Sequence, residues 1–355
     1  MIDRYKKSVE LDPDDVDAWI NLGDAYYDEG VFHKAIECYK KSLIISPYFS
    51  EVYNNLGLAY SMIGKLENAK ECYLKAIELD PEDANIYYNL GSLFEDLENF
   101  DDAIEYYMKT LELEPSYTDV LNNIALIYRD RKQYDLAINF YERALKINPD
   151  DPFLFNNLAI IYFDKKNYEK AIYYYQKAID LDPQNADFWC DMGDIYYELN
   201  DFINAIKYYR RAVELDPYLI DAWNDLGLSY TFNEQYLESI ECYKSALEIE
   251  PNDVTLYENL GFSYSALKDY DNAIKSYQKA LNINPDYVSV LKKIGNLFYK
   301  INQNFKEAIR YFEQALDLDP YDLESRQMLA NCYEKLENFE KANQIRKQRS
   351  NWLQN

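Results

Sequence analysis

Histidine is almost absent from this 355-residue sequence, cysteine is sparse, and no run approaches the roughly 18 apolar residues that a membrane-spanning helix needs. The single histidine, His33, falls in a predicted turn between helices, with no second His and no paired Cys at ligand spacing. That excludes the usual metal sites and the usual Ser-His or Cys-His nucleophiles. No glycine-rich phosphate loop is present either. The expectation is therefore a chain with no catalytic residues, no metal and no cofactor: not an enzyme. The five cysteines are an odd number without a C-x-x-C pair, and Cys38, Cys72 and Cys242 share one register, so they read as packed side chains in a reducing compartment. With a first stretch, MIDRYKKSVELDP, that forms no signal peptide, the expected location is cytoplasmic, without membrane insertion. Positive charge is scarce as well. Lys plus Arg number 37 against 63 Asp plus Glu, a formal net charge of −26, which repels nucleic acid and anionic membranes and attracts cationic partners.

Proline is also rare, at 11 residues, but ten of them (Pro13, Pro47, Pro81, Pro115, Pro149, Pro183, Pro217, Pro251, Pro285 and Pro320) stand 34 residues apart, with one final step of 35. Only Pro152 lies outside the series. A fixed period of this length means a repeat array, in which each unit buries its apolar face against its neighbours. With the proline at position 32, the first complete unit starts at Val16. Position 8 then reads Gly23, Gly57, Gly91, Ala125, Ala159, Gly193, Gly227, Gly261 and Gly295; position 20 is Ala or Ser, and position 24 is Tyr or Phe throughout. Apolar residues at positions 4, 7, 11, 24 and 27 form stripes at helical spacing, so each unit reads as two amphipathic helices crossing where only small residues fit. Proline ends the second helix, because it cannot donate a backbone hydrogen bond and keeps its predecessor extended. Asp-Asp pairs such as Asp14–Asp15 and Asp101–Asp102 fall at helix starts, where carboxylates cap free N–H groups.

The W-x-x-L-G-x-x-Y, A-x-x-x-Y, P pattern of these units resembles the tetratricopeptide repeat, and the match runs through essentially the whole chain. The resemblance implies an all-α fold: a right-handed α-α superhelix, or solenoid, of about nine complete helix-turn-helix units with partial or degenerate units at the ends. Residues 1–355 read as one solenoid, with the second helix of a partial repeat at 1–15, nine units over 16–322, and a degenerate repeat with a capping helix at 323–355. Met1–Asp12 lacks its first-helix partner, so the sequence reads as a fragment or as a natural half-repeat cap. One residue is inserted around Asn302–Asn304. Near the end, Arg346 and Arg349 replace apolar residues, and Lys341, Gln344, Lys347 and Gln348 make the last helix polar, as a solenoid cap requires.

Function falls to positions the core does not use. The resemblance implies that positions 2, 5, 6, 9, 12 and 13 line a concave groove. Position 6 reads Asn21, Asn55, Asn89, Asn123, Asn157, Asp191, Asp225 and Asn259. An amide bonds both the N–H and the C=O of an extended peptide, so such a row holds a backbone without reading its sequence. The row is similar to the asparagine ladder in the repeat arm of O-linked N-acetylglucosamine transferases. The alternative is that Asn is simply common at this position and bonds to neighbouring backbone. Around the row, carboxylates such as Asp24 and Asp194 alternate with apolar residues: Leu58 and Met62, then Leu126, Ile160 and Phe163, then Leu228, Phe232 and Phe262. The predicted ligand is an extended, partly basic peptide or protein segment bound by a scaffold. Two alternatives are a substrate-recruiting arm of a larger enzyme, such as a glycosyltransferase, and self-association into a homo-oligomer. Lys292 and Asn296 resemble the start of a carboxylate clamp, but Met328 stands where the clamp needs Asn, so Lys292, Lys293 and Lys300 read as a small basic island.

Overall fold

A computed structural model describes residues 1–301 and 304–347, and all of its regular elements are α-helices. The chain divides into two compact units, Met1–Lys165 and Lys166–Asn355. The first unit holds α1 (Ile2–Leu11), α2 (Val16–Asp28), α3 (Phe32–Ile45), α4 (Ser50–Met62), α5 (Leu66–Leu79), α6 (Ala84–Asp96), α7 (Phe100–Leu113), α8 (Thr118–Asp130), α9 (Tyr134–Ile147) and α10 (Pro152–Asp164). The second holds α11 (Tyr168–Leu181), α12 (Ala186–Glu198), α13 (Phe202–Leu215), α14 (Ile220–Phe232), α15 (Tyr236–Ile249), α16 (Val254–Ala266), α17 (Tyr270–Ile283), α18 (Val288–Lys300), α19 (Phe305–Leu318), α20 (Leu323–Lys335) and α21 (Phe339–Lys347). Within each unit, helices pair as antiparallel hairpins and each hairpin packs on the next, as in α2–α3 on α4–α5 and α12–α13 on α14–α15.

Local chemistry sets the helix ends. Asp15, Asp83, Asp151, Asn185, Asp253 and Asp322 cap first helices by accepting backbone N–H bonds, and Pro152 occupies the first helical position of α10, where its missing N–H costs nothing. Asp101 and Asp102 do something else: Asp102 accepts from the Asn99 amide and Asp101 pairs with Arg131. His33 lies in the first turn of α3 rather than between helices. Position 15, in the turn inside the hairpin, is left-handed in Gly30 and Gly64, but also in Glu98, Lys132, Lys166, Asn200, Glu234, Lys268 and Glu337. The residue before each proline is not helical, and its N–H still closes the last turn, as in Asp80 onto Ala76.

The small residues at position 8 have a specific partner. A Cβ on Gly23 would lie 2.5 Å from Cε1 of Tyr39, and one on Gly193 would lie 2.6 Å from Cε1 of Tyr209. The position-24 ring of the second helix therefore lies flat on the glycine of the first; a side chain, rather than the crossing backbones, demands the space. These tyrosines are among the most buried residues, with Tyr39 and Tyr209 each 1% exposed. In α21, Ala342 and Ile345 are buried, while Arg346 reaches back to Glu334 and Asn331 on α20. Asn302 and Gln303, in the stretch that holds the one extra residue, the Lys347 side chain, Gln348 and Arg349 lie outside the described residues.

Candidate peptide-binding face

The position-6 amides are half-buried, apart from exposed Asn21, and each donates to the protein itself. Asn21 bonds the Asp17 carbonyl of its own helix at 2.6 Å. Asn55 donates to Asp24 Oδ1 at 3.3 Å, and Asn123 donates to the Tyr107 hydroxyl at 3.2 Å. Asn89, Asn157 and Asn259 donate to the side-chain oxygens of Asn54, Asn122 and Asn224 in the preceding repeat, at 2.9, 3.2 and 3.3 Å. Asn55, Asn89, Asn157 and Asn259 thus tie successive first helices together, whereas Asn123 bonds the second helix before it and Asn21 its own helix. The acceptors at position 5, Asn54, Asn122 and Asn224, did not stand out in the sequence; the Asn-Asn doublets at 54–55 and 122–123 are the signal that pointed to them.

Among the apolar candidates, Leu126, Ile160, Phe163 and Leu228 are half-buried, whereas Phe262 is 47% exposed. Phe232 and Met62, each 56% exposed, stand further out. In the second unit, Phe232 stacks on Phe202 (centroids 5.2 Å apart), and Tyr197 meets both rings edge-on.

Asp24 and Asn55 line one cavity. It measures about 200 Å³ and is bounded by Asp24, Tyr27, Asp28, Tyr39, Asn55 and Leu58, all within the first unit. The Tyr39 hydroxyl donates to Asp24 Oδ1 at 2.7 Å, and the ring of Tyr27 packs edge-on against Phe32. In the second unit the Tyr209 hydroxyl likewise donates to Asp194 Oδ1 at 2.7 Å. There the ligand-capable atoms of Cys190, Asp194 and Asp225 lie within 4.8 Å of one another, a grouping that sequence spacing did not predict. Burial, reinforced by the charge of Asp194, pushes Asp191 and Asp225 up to about 7. Asp194 is also raised, by burial first and then by Asp221 and Glu198, although the Tyr209 bond opposes the shift. Burial and the surrounding carboxylates push the Cys190 thiol up too. No lysine or arginine pairs with Asp191, Asp194 or Asp225 among the described residues.

Glu258 is the counter-example. Burial opposes its ionisation, yet bonds from Lys293 (2.5 Å), Ser289 (2.6 Å) and Tyr287 outweigh it and hold the carboxyl below its ordinary range. Lys292 pairs with Asp322 at 3.0 Å and Glu324 at 2.7 Å. Lys292 and Lys293 are therefore neutralised within the fold and do not form a basic island.

Family models described as "Tetratricopeptide repeat" match residues 82–150, 116–184, 153–217, 218–283 and 252–320, and another of that description matches 299–355. A model described as "TPR repeat" matches 2–30, 23–64 and 63–97. No curated protein matches the chain. Among solved structures, the C-terminal part of a TPR repeat-containing protein from Cytophaga hutchinsonii is 22% identical, with a TM-score of 0.61, covering 68% of this chain and 99% of that one. MamA is 32% identical over 42% of this chain and 86% of its own, with a TM-score of 0.40. YrrB, described as a TPR protein with an unusual peptide-binding site, is 23% identical over 62% of this chain and 97% of its own, with a TM-score of 0.37. No helix among the described residues is long and apolar enough to cross a membrane.

Proposed function

This chain belongs to the tetratricopeptide repeat family, and we propose that its first-helix face binds an extended, partly basic polypeptide segment, making the protein an interaction scaffold. The observation that carries this reading is the mismatch on that face between carboxylates and cations. Among the described residues, Asp191, Asp194 and Asp225 are partly buried without an internal cation, although Glu258 nearby in sequence has one. Such groups favour a ligand that brings positive charge. Exposed Phe232 and Phe262 supply apolar anchors on α14 and α16, and the position-6 amides supply backbone contacts.

The test is affinity capture with the wild type and with the triple variant Asn123→Ala, Asn157→Ala, Phe163→Ala. Loss of partners supports the reading, and undiminished retention sinks it. Self-association is a second reading. A groove of about 400 Å³ between α15, α16 and α17 carries Lys275 and Lys279, beside Lys244, which pairs with Glu241, and Glu248; the two lysines are a local cationic surface that the acidic face of another copy complements. A monomeric mass that does not change with concentration excludes it.

A further inference from the structure

The cavity in the first unit and the acidic cluster in the second are built from the same positions of the repeat. Position 9 is Asp24 or Asp194, position 12 is Tyr27 or Tyr197, position 13 is Asp28 or Glu198, and position 24 is Tyr39 or Tyr209. The following repeat adds Asn55 or Asp225 at position 6 and Leu58 or Leu228 at position 9. The two sets are 194 − 24 = 170 residues apart, five periods of 34. No other repeat carries Asp at position 9, and none of the remaining units combines Tyr at 12 with an acid at 13.

The contacts repeat along with the residues. In both sets the position-24 hydroxyl holds the position-9 carboxylate at 2.7 Å, and the position-12 ring meets a phenylalanine edge-on, Tyr27 with Phe32 at 5.3 Å and Tyr197 with Phe202 at 5.7 Å. Glycine at position 8 lets the position-24 ring lie close enough for its hydroxyl to reach. The outcome is an oriented carboxylate, an aromatic wall, an acidic rim and an aliphatic side, with no cation of the protein's own among the described residues.

We propose that these are two cation-accepting subsites, each taking one lysine or arginine side chain of a bound polypeptide. This rests on the reading of the first-helix face as peptide-binding. The aliphatic stem of the guest lies along Tyr27 and Leu58, or Tyr197 and Leu228, while its charged head meets Asp24 or Asp194. The first-unit cavity, at about 200 Å³, has room for one side chain rather than a folded element. The subsites differ in charge at position 6 of the following repeat: Asn55 donates to Asp24, whereas Asp225 brings a second carboxylate within 4.8 Å of Asp194. The second subsite therefore holds its guest more tightly and fits the two-pronged guanidinium of arginine.

The experiment uses the full chain and labelled twelve-residue peptides of alanine, serine and proline carrying one arginine, one lysine or one citrulline, with affinity read by fluorescence anisotropy. Arginine and lysine peptides are expected to bind at least tenfold more tightly than the citrulline peptide. Asp194→Asn with Asp225→Asn is expected to remove roughly tenfold of that preference, and Asp24→Asn a smaller share. Tyr197→Leu, which leaves the charges in place, is expected to weaken arginine binding several-fold. Equal binding of citrulline and arginine peptides, abolished by the Asn123, Asn157 and Phe163 triple variant, would overturn the subsites while leaving the peptide-binding face standing. Binding indifferent to both sets of variants would overturn both. Cadaverine displacing the arginine peptide at equal concentration would overturn the assignment to a polypeptide side chain.

Discussion

Around Asp24 in the first unit and around Asp194 in the second, one repeat motif is used at two settings of charge. The first carboxylate is satisfied by a tyrosine hydroxyl and an asparagine amide. The second keeps the hydroxyl but faces another carboxylate, Asp225, where the amide would be. A single change of donor to acceptor thus turns a satisfied polar pocket into one with excess negative charge. Glu258 shows the third setting, in which the fold itself supplies the cation through Lys293. Packing accepts all three because the apolar framework, a buried aromatic on a small residue, is common to them.

Breaking that framework tests whether both pockets depend on it. Gly193→Val and Gly23→Val each force a side chain into a tyrosine ring, and overpacking of this kind costs about 1–3 kcal/mol. Urea denaturation should show similar losses for the two. A large loss at only one site would mean the two frameworks are not equivalent.

Removing the internal cation sharpens the contrast with Glu258. Lys293→Met strands a carboxylate that also accepts from Ser289 and Tyr287. Because Lys293 is itself partly exposed, the expected cost near neutral pH is on the order of 1–2 kcal/mol, well under that of a fully buried pair. It should shrink as the pH falls and the Glu258 carboxyl protonates. Stability unchanged at pH 7 would show that the hydroxyls suffice.

The uncompensated acids predict the opposite pH dependence. Asp191 and Asp225 have folded values pushed up to about 7, above the roughly 3.9 of an unfolded aspartate. Between those values the folded state binds more protons than the unfolded state, so their contribution to stability falls as the pH rises from about 4 to about 7. For Asp225 burial is the main cause, reinforced by Asp194 on α12 and Asp221 on α14, with the Asn224 amide opposing them. Asp225→Asn should therefore gain on the wild type across that window, by on the order of 1 kcal/mol at pH 7 and little at pH 4. A gap that does not vary with pH would contradict the assignment.

The smallest effect concerns the turns that both units share. Glu98 and Lys132 in the first unit, and Glu234 and Lys268 in the second, are left-handed where Gly30 and Gly64 use glycine. Replacing each by glycine relieves a backbone penalty but frees the unfolded chain, for a net gain of about 0.5–1 kcal/mol. Thermal melts that fall instead would show that the native side chain does more than fill the turn.

Much of this architecture could be read in advance. The helices, their proline stops, the small residues at positions 8 and 20 and the position-24 aromatics all follow from period and residue type, because they answer to local backbone rules. The site was legible only as a set of positions. Which amide donates to which acceptor, and that Lys292 and Lys293 find carboxylates, depends on partners about 30 to 35 residues away. Sequence alone determined the repeat, its register and its excess of acid. Only the tertiary structure decided where that acid is neutralised, as at Glu258, and where it is left facing an aromatic wall, as at Asp194 and Asp225, because charge pairing is set by distances of a few ångströms between helices that periodicity does not encode.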